Sequence, residues 1–421
     1  MSHLRVAAIT YDYYPFDIRV RRMAEAAADA GYAMRVICLR DQGEAAHEVC
    51  NGVLTDRLPF SRGFGRPLPL SVLSWLWFTM MAGAVVTWQH LRQPYDVILA
   101  HNMPDFLVFA AIIPRILGAK VVLDVQDVSP ELMSAKSNGR LKHLLFRLAA
   151  IQERVSTAFA SHVVTVGWPF EERLKARGVP ARKLFLTLNS ADPRLFPAEH
   201  RCPPPSWAPG FDGPFIVMYY GTIAQRNGLD TAVRALALAL PRAPRLRLDI
   251  MGRGEYLPEV KRMAEELGVG DSVRFSDPCP SENIVDFVLH GDAGIIPYRR
   301  DGFAELVLPT KAYEQAWMQR PIIASDTVAI RSMFRPGSAL LCDPESPESF
   351  ADALVNLYEH PELQRTLMER AFEDYAPYRW EKVSSEYQAY LAALSGKSAP
   401  PPAPPSGSSH PQPVESDATP V

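Results

Sequence analysis

The 421-residue sequence is poor in cysteine, and its few cysteines form no recognisable pattern. They are Cys38, Cys50, Cys202, Cys279 and Cys342. No two of them make a C-x-x-C pair, and an odd number of scattered thiols favours neither a disulfide framework nor a zinc site. We therefore expect a reducing compartment, which for this chain means a cytoplasmic location.

An excess of positive charge is also missing. Lysine and arginine together number 44 against 47 acidic residues, which gives a formal net charge of −3. A nucleic-acid-binding protein needs a basic face, so no nucleic-acid partner is expected. The first residues, MSHLRVAAITYDYYPFD, do not resemble a signal peptide, because their apolar run is too short. That run predicts a first β-strand instead.

Long apolar runs are rare, with one exception at residues 70–88, which read LSVLSWLWFTMMAGAVVTW without a charge. Its length approaches the roughly 20 residues that span a bilayer. Three interpretations stay open: a buried helix of the first domain, a helix in the membrane interface, and a transmembrane helix. The interfacial helix would place Trp75, Trp77 and Trp88 at headgroup level. A transmembrane helix is disfavoured, because it would separate two parts of one continuous α/β pattern.

Short β-branched runs alternate with helical patterns through most of the chain. The runs that predict strands are 5–10, 34–39, 96–101, 120–125, 162–166 and 184–188 in the first half, and 215–220, 246–251, 272–275, 293–297, 321–324 and 339–342 in the second. Such alternation indicates βαβ units and parallel sheets covered on both faces. One of the intervening helices is predicted over 105–117. The predicted fold class is α/β, with two doubly wound Rossmann-like domains facing a cleft.

Composition gives the domain boundaries. Residues 198–214, AEHRCPPPSWAPGFDGP, are too rich in proline and glycine for either periodicity and are predicted to be a linker between domains 1–197 and 215–377. Residues 378–396 hold a last amphipathic helix. Residues 397–421 contain mostly proline and small polar residues, so this tail is expected to be disordered.

The strongest local motif is LPTKAYE at 308–314. A helix that begins near Pro309 offers the free N–H groups of its first turn and the positive end of its dipole, including at Thr310. Lys311 adds a full charge, and Glu314 lies about one turn further on, where a carboxylate can accept hydrogen bonds from ribose hydroxyls. This pattern predicts a nucleotide-phosphate site, with an ordinary capped helix as the alternative.

A second motif, YGTIAQRNG at 220–228, follows the first strand of the second domain. Gly221 and Thr222 lie where the backbone can approach a ligand closely. Arg226 can pair with phosphate oxygens and offset a diphosphate leaving group. The fragment GRG that begins at Gly252 lacks the full dinucleotide fingerprint and mostly marks a turn, although it is also a donor-binding candidate.

Polar residues also follow the strands of the first domain. Asp127, at the end of VLDVQD, can act on an acceptor hydroxyl as a general base. His101 ends an earlier strand and is a candidate for acceptor binding. Both also fit a helix cap, where aspartate and asparagine are favoured.

The loop YDYYPFDIR follows the first strand and combines acidic with aromatic residues. Asp12, Tyr13 and Asp17 therefore are candidates for binding a sugar acceptor. A plain capped loop explains the same residues equally well.

Taken together, these motifs resemble a known family. YDVILAHNMPD, KVVLDVQDVSPE, YYGTIAQRNGLDTAVRAL, LDIMGRGEY and LPTKAYE occur in the order and spacing of the retaining GT-B glycosyltransferases of family four. That group includes sucrose synthases and bacterial polysaccharide-building transferases. The similarity extends over about residues 4–394. It also includes the aspartate of GDAGIIPY.

The resemblance implies a function and a set of site residues. A nucleotide-diphosphate sugar would bind the second domain, with Arg226 on the diphosphate, Glu314 on the ribose and the backbone around Cys279 on the base. The sugar would pass with retained configuration to a glycan or lipid-linked acceptor, which Gln126 would help to bind. No metal and no cofactor would be required.

Three departures from the family pattern leave an alternative open. The family often has a glutamate eight positions before Glu314, where this chain has Leu306, and Glu305 lies one step out of register. Glu305 is nevertheless predicted to be catalytic, with Asp127 and Arg226. The family often has histidine where this chain has Gln126, and the cation usually next to the glycine is displaced to Arg226. The alternative is an inactive relative that binds a nucleotide sugar or a protein partner.

Overall fold

The computed structural model describes residues 4–63, 67–135, 139–280 and 283–396. It contains two α/β units with largely parallel sheets, so the predicted fold class is confirmed. The predicted disordered tail, 397–421, lies outside the described residues.

The first sheet contains eight strands among the described residues, in the order β3-β4-β2-β1-β5-β6-β7-β8. They are β1 (Arg5–Tyr13), β2 (Ala33–Leu39), β3 (His47–Cys50), β4 (Val53–Leu58), β5 (Val97–His101), β6 (Lys120–Val125), β7 (His162–Thr165) and β8 (Leu184–Leu186). Its helices are α1 (Ile18–Asp29), α2 (Leu68–Arg92), α3 (Ile112–Ile116), α4 (Ser129–Ala135), α5 (Gly139–Phe159) and α6 (Trp168–Ala176). Only the edge pair β3–β4 is antiparallel among these strands.

The second sheet has six parallel strands in the described part of the chain, ordered β11-β10-β9-β12-β13-β14. They are β9 (Phe215–Tyr220), β10 (Leu246–Met251), β11 (Val273–Ser276), β12 (Ala293–Ile296), β13 (Ile322–Ser325) and β14 (Leu340–Cys342). The helices are α7 (Leu229–Ala239), α8 (Leu257–Glu266), α9 (Ile284–His290), α10 (Thr310–Trp317), α11 (Val328–Met333), α12 (Pro347–Glu359), α13 (Pro361–Asp374) and α14 (Trp380–Leu394). The strand order reverses between β9 and β12, and ligands bind at such switch points.

Helix α2 has one side in the core of the first domain. Phe78, Ala82 and Val86 are fully buried, and the Phe78 ring meets Tyr11 edge to face at 5.1 Å. By length and composition the helix could cross a membrane, but only its buried side contacts protein. The helix is therefore a core helix on one side only, and its other side exposes apolar residues. Its contact with a membrane stays a prediction.

The last helix, α14, packs on the first sheet although it follows the second. Its Tyr390 stacks on Phe185 with 3.9 Å between ring centroids. Its Gln388 side chain donates to the carbonyl of Ala26 at 2.8 Å, and Leu391 is fully buried. Helix α14 thus ties the C-terminal end of the described chain to the first domain.

The structure corrects several predicted elements. The predicted helix over 105–117 is a 3₁₀ segment, Asp105–Ala111, followed by α3. Pro114 has no N–H to donate to the carbonyl four residues earlier, so one continuous α-helix cannot form there. The strands β3 and β4 and the helices α4, α11 and α13 are additional elements that the sequence patterns did not predict.

Candidate active site

A cleft of about 990 Å³ lies between the carboxyl edges of the two sheets. The first domain contributes Tyr11, Ile18, Trp75, Met103 and Asp127, and the second contributes Gly221, Thr222, Arg226, Cys279, Pro309, Thr310, Lys311 and Glu314, among others. Nine of the predicted site residues therefore share one cavity, which is large enough for a nucleotide-sized ligand.

The loop after β9 is held rigid by Asn227, a residue to which the sequence motifs assigned no role. Its side-chain amide donates to the Thr222 carbonyl at 2.6 Å and to the Tyr219 hydroxyl at 2.9 Å. Gly228 then adopts a left-handed conformation (φ 65°), and a Cβ there would lie 1.7 Å from the Pro297 carbonyl oxygen. The loop is thereby locked against the end of β12, which fixes the position of Arg226.

Gly252 does not line the cleft, contrary to its prediction as a donor-binding residue. A Cβ on Gly252 would lie 1.9 Å from the Gly221 carbonyl oxygen, and one on Gly254 would lie 2.0 Å from that of Ile223. The two glycines therefore let the turn after β10 pack directly behind the loop after β9. They support the site from behind, as expected of a turn.

The Arg226 guanidinium faces the cleft and is half-buried. It lies 5.7 Å from the centre of the Phe303 ring. Among the described residues it forms an ion pair with no carboxylate, so its charge is directed at the cavity. An anion that enters the cleft would meet an uncompensated cation.

Lys311 lies in the first turn of α10, and its amine packs against the loop after β9. The ammonium nitrogen is 4.0 Å from the centre of the Tyr219 ring and 5.4 Å from that of Tyr298. A Cβ on Gly221 would lie 3.6 Å from it. Burial lowers the pKa of Lys311 to about 7, although Glu314 favours the charged form. The lysine and the start of the helix thus face the same cavity as Arg226.

Glu314 is one turn further along α10 and also lines the cleft. Burial raises the pKa of this carboxyl, although the Tyr220 hydroxyl, Arg22 and Lys311 favour the carboxylate. A partly desolvated carboxylate is a strong acceptor for a pair of hydroxyl groups. The contact of Glu314 with a ribose stays a prediction.

Asp127 faces the second domain across the cleft, and its backbone is held by Asn102. The Asn102 side chain donates to the Asp127 carbonyl at 2.6 Å and accepts from the Asp127 N–H at 3.3 Å and the Gln126 N–H at 2.8 Å. Asn102 is thus a positioning residue. The only sequence signal for it was its place after a buried strand.

His101 is buried and does not line the cleft, which corrects its predicted placement there. Its Nδ1 lies 2.8 Å from an Asp124 oxygen, to which the Gln126 amide donates at 3.1 Å. Burial acts against ionisation of Asp124, but Arg19 and His101 hold its pKa well below its usual range. Gln126 instead lines a second, smaller cavity of about 160 Å³ together with Asp127.

Asp17 also lies outside the cleft lining, because its carboxylate caps α1. It accepts hydrogen bonds from the N–H groups of Arg19 and Val20, each at 3.1 Å. Burial raises the pKa of this group. The capped-loop interpretation therefore explains Asp17, which is not placed to reach a ligand in the cleft.

Asp12 and Tyr13 are engaged by Arg62 and do not line the cavity. The Asp12 carboxylate pairs with the Arg62 guanidinium, and the Tyr13 hydroxyl accepts from the Arg62 N–H at 2.9 Å. Arg62 and Tyr11 line the cleft in place of Asp12 and Tyr13, which corrects the predicted placement of these two residues.

Glu305 points away from the cavity, which corrects its prediction as a catalytic residue. Its carboxylate accepts from the Val328 N–H at 3.0 Å, at the start of α11, and lies 3.3 Å from Arg300. Leu306, eight residues before Glu314, is buried in an apolar cluster with Phe170. The neighbouring Phe303 lines the cleft in this part of the chain.

Comparison with known families matches both halves of the chain. Residues 17–189 match the model described as "Glycosyl transferase 4-like domain", and residues 207–374 match "Glycosyl transferases group 1". The D-inositol 3-phosphate glycosyltransferase of Thermomonospora curvata is 25% identical over 177 residues, which is 40% of each chain. The match thus spans well under half the length of this curated relative.

Solved structures show a similar fold over nearly the whole chain. Sucrose-phosphate synthase from Thermosynechococcus elongatus superposes with a TM-score of 0.74 at 19% identity, covering 94% of this chain and all of that one. Anabaena HepE, solved in complex with UDP-glucose, gives a TM-score of 0.67 at 15% identity, covering 93% of this chain and 100% of that one. At these identities the similarity establishes the arrangement of the two domains.

Proposed function

Because the chain belongs to the GT-B glycosyltransferases of the family-four type, we propose that it transfers a sugar from a nucleotide-diphosphate sugar to an acceptor hydroxyl. One observation carries the proposal. Arg226, Lys311 and the start of α10 face a single cavity from the second domain, opposite Asp127 of the first. Two cations and a helix N-terminus are suited to binding a diphosphate. The Asp127 carboxylate on the opposite side is suited to binding an incoming hydroxyl.

The proposed reaction follows from this geometry. Arg226 and Lys311 bind the diphosphate, and Glu314 accepts hydrogen bonds from the ribose. The bond between the sugar carbon and the diphosphate oxygen breaks, and the acceptor oxygen bonds to the same carbon on the same face, so the configuration is retained. The acceptor proton passes to the departing oxygen while Asp127 orients the hydroxyl. The cations stabilise the leaving group without a metal ion.

The proposed acceptor is a glycan or a lipid-linked intermediate of a surface polysaccharide, and the proposed location is the cytoplasmic face of the membrane. Its support is the exposed apolar side of α2 within residues 70–88. Leu73, Trp77 and Met80 are each more than half exposed there. A helix with this pattern suits the interface of a bilayer.

A donor panel tests the activity. The purified chain is incubated with UDP-, GDP- and ADP-sugars in the presence of EDTA, and release of the nucleoside diphosphate is followed over time. We expect slow release from one donor class, faster with the acceptor, and a product anomer that matches the donor by NMR. No release from any donor, or an inverted product, contradicts the proposal.

The same assay tests the site through Glu314→Ala, with the exposed Glu362→Ala on α13 as its control. A hydrogen bond to a charged group contributes about 1.5–3 kcal/mol. Donor affinity is therefore expected to fall by about 10-fold or more in the first variant and to stay unchanged in the second. Equal affinity in both would reject this placement of the ribose.

One observation favours the inactive relative as a second candidate. Glu305, the nearest substitute for the missing glutamate, is turned away from the cavity and bonded to the start of α11. The same panel separates the two candidates. Tight donor binding without release, even with membrane extracts as acceptor, supports the inactive relative.

A further inference from the structure

Helix α2 carries an exposed apolar stripe along its whole length, opposite its buried side. The stripe consists of Leu70, Leu73, Trp77, Met80, Trp88 and Leu91, which are between 53% and 67% exposed. Steps of three, four and eight residues keep these side chains on one side of a helix. A monomeric protein rarely leaves so many large apolar groups in water.

Two neighbouring segments show the same feature. Helix α5 exposes Leu144, Leu148, Ile151 and Val155, again in steps of three and four, and each is more than half exposed. The segment at α3 exposes Ile112, Ile113, Ile116 and Leu117. The buried side of α5 packs in the domain, as shown by Ala149 and Glu153.

The three helices lie side by side on one face of the first sheet. The 3₁₀ segment before α3 packs against both α2 and α5. On one side Gly83 of α2 approaches the backbone of Ala110 so closely that a Cβ would lie 3.2 Å from its carbonyl oxygen. On the other side Phe109 contacts Phe159 of α5, with 5.0 Å between the rings. The exposed stripes therefore face outward together.

The charge on this part of the molecule has one sign. Within α2, residues 105–116 and α5, the acidic residues are Asp105 and Glu153, and both are only 1% exposed. The charged side chains described there as exposed are all basic: Arg92, Arg115, Lys142, Arg147 and Arg154. Exposed leucines bordered by cations complement an anionic lipid surface.

We propose that the exposed sides of α2, α3 and α5, termed the three-helix surface, dock onto an anionic lipid bilayer. The apolar stripes enter the boundary between headgroups and acyl chains, and the basic side chains contact lipid phosphates. A second copy of the chain is a poorer occupant. A symmetric interface would bring the basic residues of both copies into one region, where they repel.

The active-site cleft lies beside this surface. Leu68 and Trp75 of α2, Leu145 of α5 and Met133 of α4 line its first-domain side. Helices α2 and α5 thus carry exposed apolar stripes and also line the apolar side of the cavity. If the chain has the proposed function, its acceptor is an amphiphile whose apolar part reaches the cleft from the bilayer.

Vesicle co-sedimentation tests the surface, using the full chain and vesicles of phosphatidylcholine alone or mixed equally with phosphatidylglycerol. The apolar variant is Leu148→Ser with Ile151→Ser on α5, and its matched control is Leu238→Ser, an equally exposed leucine of the second domain. The charge variant is Lys142→Glu with Arg147→Glu, and its control is the exposed Arg234→Glu. Thermal unfolding and donor binding of each preparation verify its fold.

We expect wild type and both controls to sediment with the anionic vesicles and much less with neutral ones. Because a basic residue near an anionic surface contributes about 1 kcal/mol, the charge variant should bind at least about tenfold more weakly. The apolar variant should lose binding as well. Full binding by both α5 variants, or no binding by wild type, overturns the inference. A dimer in solution that does not bind vesicles identifies a second copy as the occupant.

The outcome is separable from that of the proposed function. Donor binding and nucleotide release are measured without vesicles, where the α5 variants should equal wild type. A wild type that binds donor but no vesicles refutes only the docking surface. A wild type that binds anionic vesicles but no nucleotide sugar refutes the proposed activity, and the docking surface stands.

Discussion

Lys311 is buried against Tyr219 and Tyr298 without an ion-pair partner among the described side chains. Burial lowers its pKa to about 7 from the ordinary lysine value of 10.5, although Glu314 favours the charge. Between these two values the unfolded chain binds more protons than the folded one. The free energy of unfolding therefore gains a contribution as pH rises through this window and loses it as pH falls towards 7.

The same depressed pKa predicts proton uptake on donor binding. One pH unit above this pKa the free lysine is mostly neutral, and a bound diphosphate would restore its charge and take up a proton. Calorimetric titration with the nucleoside diphosphate, in buffers of different ionisation enthalpy, should show this uptake, which disappears below the pKa. Lys311→Met should abolish it, whereas the exposed Lys261→Met should not. Heats independent of the buffer would contradict the prediction.

Asp127 should matter for transfer and not for donor binding, because it faces the donor residues from the other domain. Asp127→Asn keeps the size of the side chain but weakens its hold on the acceptor hydroxyl. Groups that assist proton transfer contribute roughly 10²–10⁴-fold, so the transfer rate should fall within that range while donor affinity is unchanged. The exposed Asp271→Asn is the control. A variant with full transfer rate would remove Asp127 from the mechanism.

At the level of elements, most of the sheet cores were predictable from the sequence. The strands β6, β9 and β10 have the predicted limits. Strand β9 is a fully buried run of large apolar residues, and β6 and β10 are mostly buried. Parallel strands covered on both faces give this signal because most of their positions are buried. The motifs after β9 and before α10 could be placed for the same reason.

Strand β4 was not predictable, because its buried charges are neutralised by distant residues. Asp56 is 4% exposed and accepts from Arg35 at 2.7 Å and from Gln89 at 2.6 Å. The adjacent Arg57 is equally buried and pairs with Glu48. A prediction from the local sequence places such charged residues on the surface. It cannot include their partners, because these lie on β2, α2 and β3.

The site residues whose positions were wrongly predicted were misplaced for a similar reason. His101 ends β5 and Asp17 follows β1, as expected, but the His101 side chain contacts Asp124 and the Asp17 side chain caps α1. The Glu305 carboxylate accepts a hydrogen bond at the start of α11, a helix that the sequence pattern did not predict. Chain position gives the edge of a sheet on which a residue lies. It does not predict which group the side chain of that residue contacts.

Helix α14 should stabilise the first domain although it follows the second in sequence. Leu391 is fully buried in the core formed by β1, β2 and α1. Truncation of a buried leucine destabilises by about 2–5 kcal/mol, so Leu391→Ala should lower the free energy of unfolding by that amount in urea titrations. The exposed Ser385→Ala on the same helix should change it by less than about 0.5 kcal/mol. Equal stability of the two variants would mean that the helix contributes little to this domain.

On the scale of the whole molecule, two sheets direct their carboxyl edges at a common cleft, and α14 links the second unit back to the first. The first-domain side is largely apolar, with Trp75, Met103 and Leu132, whereas Arg226 and Lys311 make the opposite side cationic. One wall is therefore suited to an amphiphilic acceptor and the other to an anionic donor. This division agrees with transfer between two ligands that bind different domains.

This division of the cleft predicts how the nucleoside diphosphate, without an acceptor, changes the free energy of unfolding. A nucleoside diphosphate at about 100 times its dissociation constant should stabilise the fold that binds it by about 2.7 kcal/mol, seen as a rise in Tm by calorimetry. Arg226→Ala removes an unpaired cation and should abolish most of the rise with little change in the Tm of the free protein. The exposed Arg234→Glu, on the next helix, should keep the full rise. If Arg226→Ala keeps it as well, the diphosphate binds elsewhere, and the two loops that line the second-domain wall are not its site.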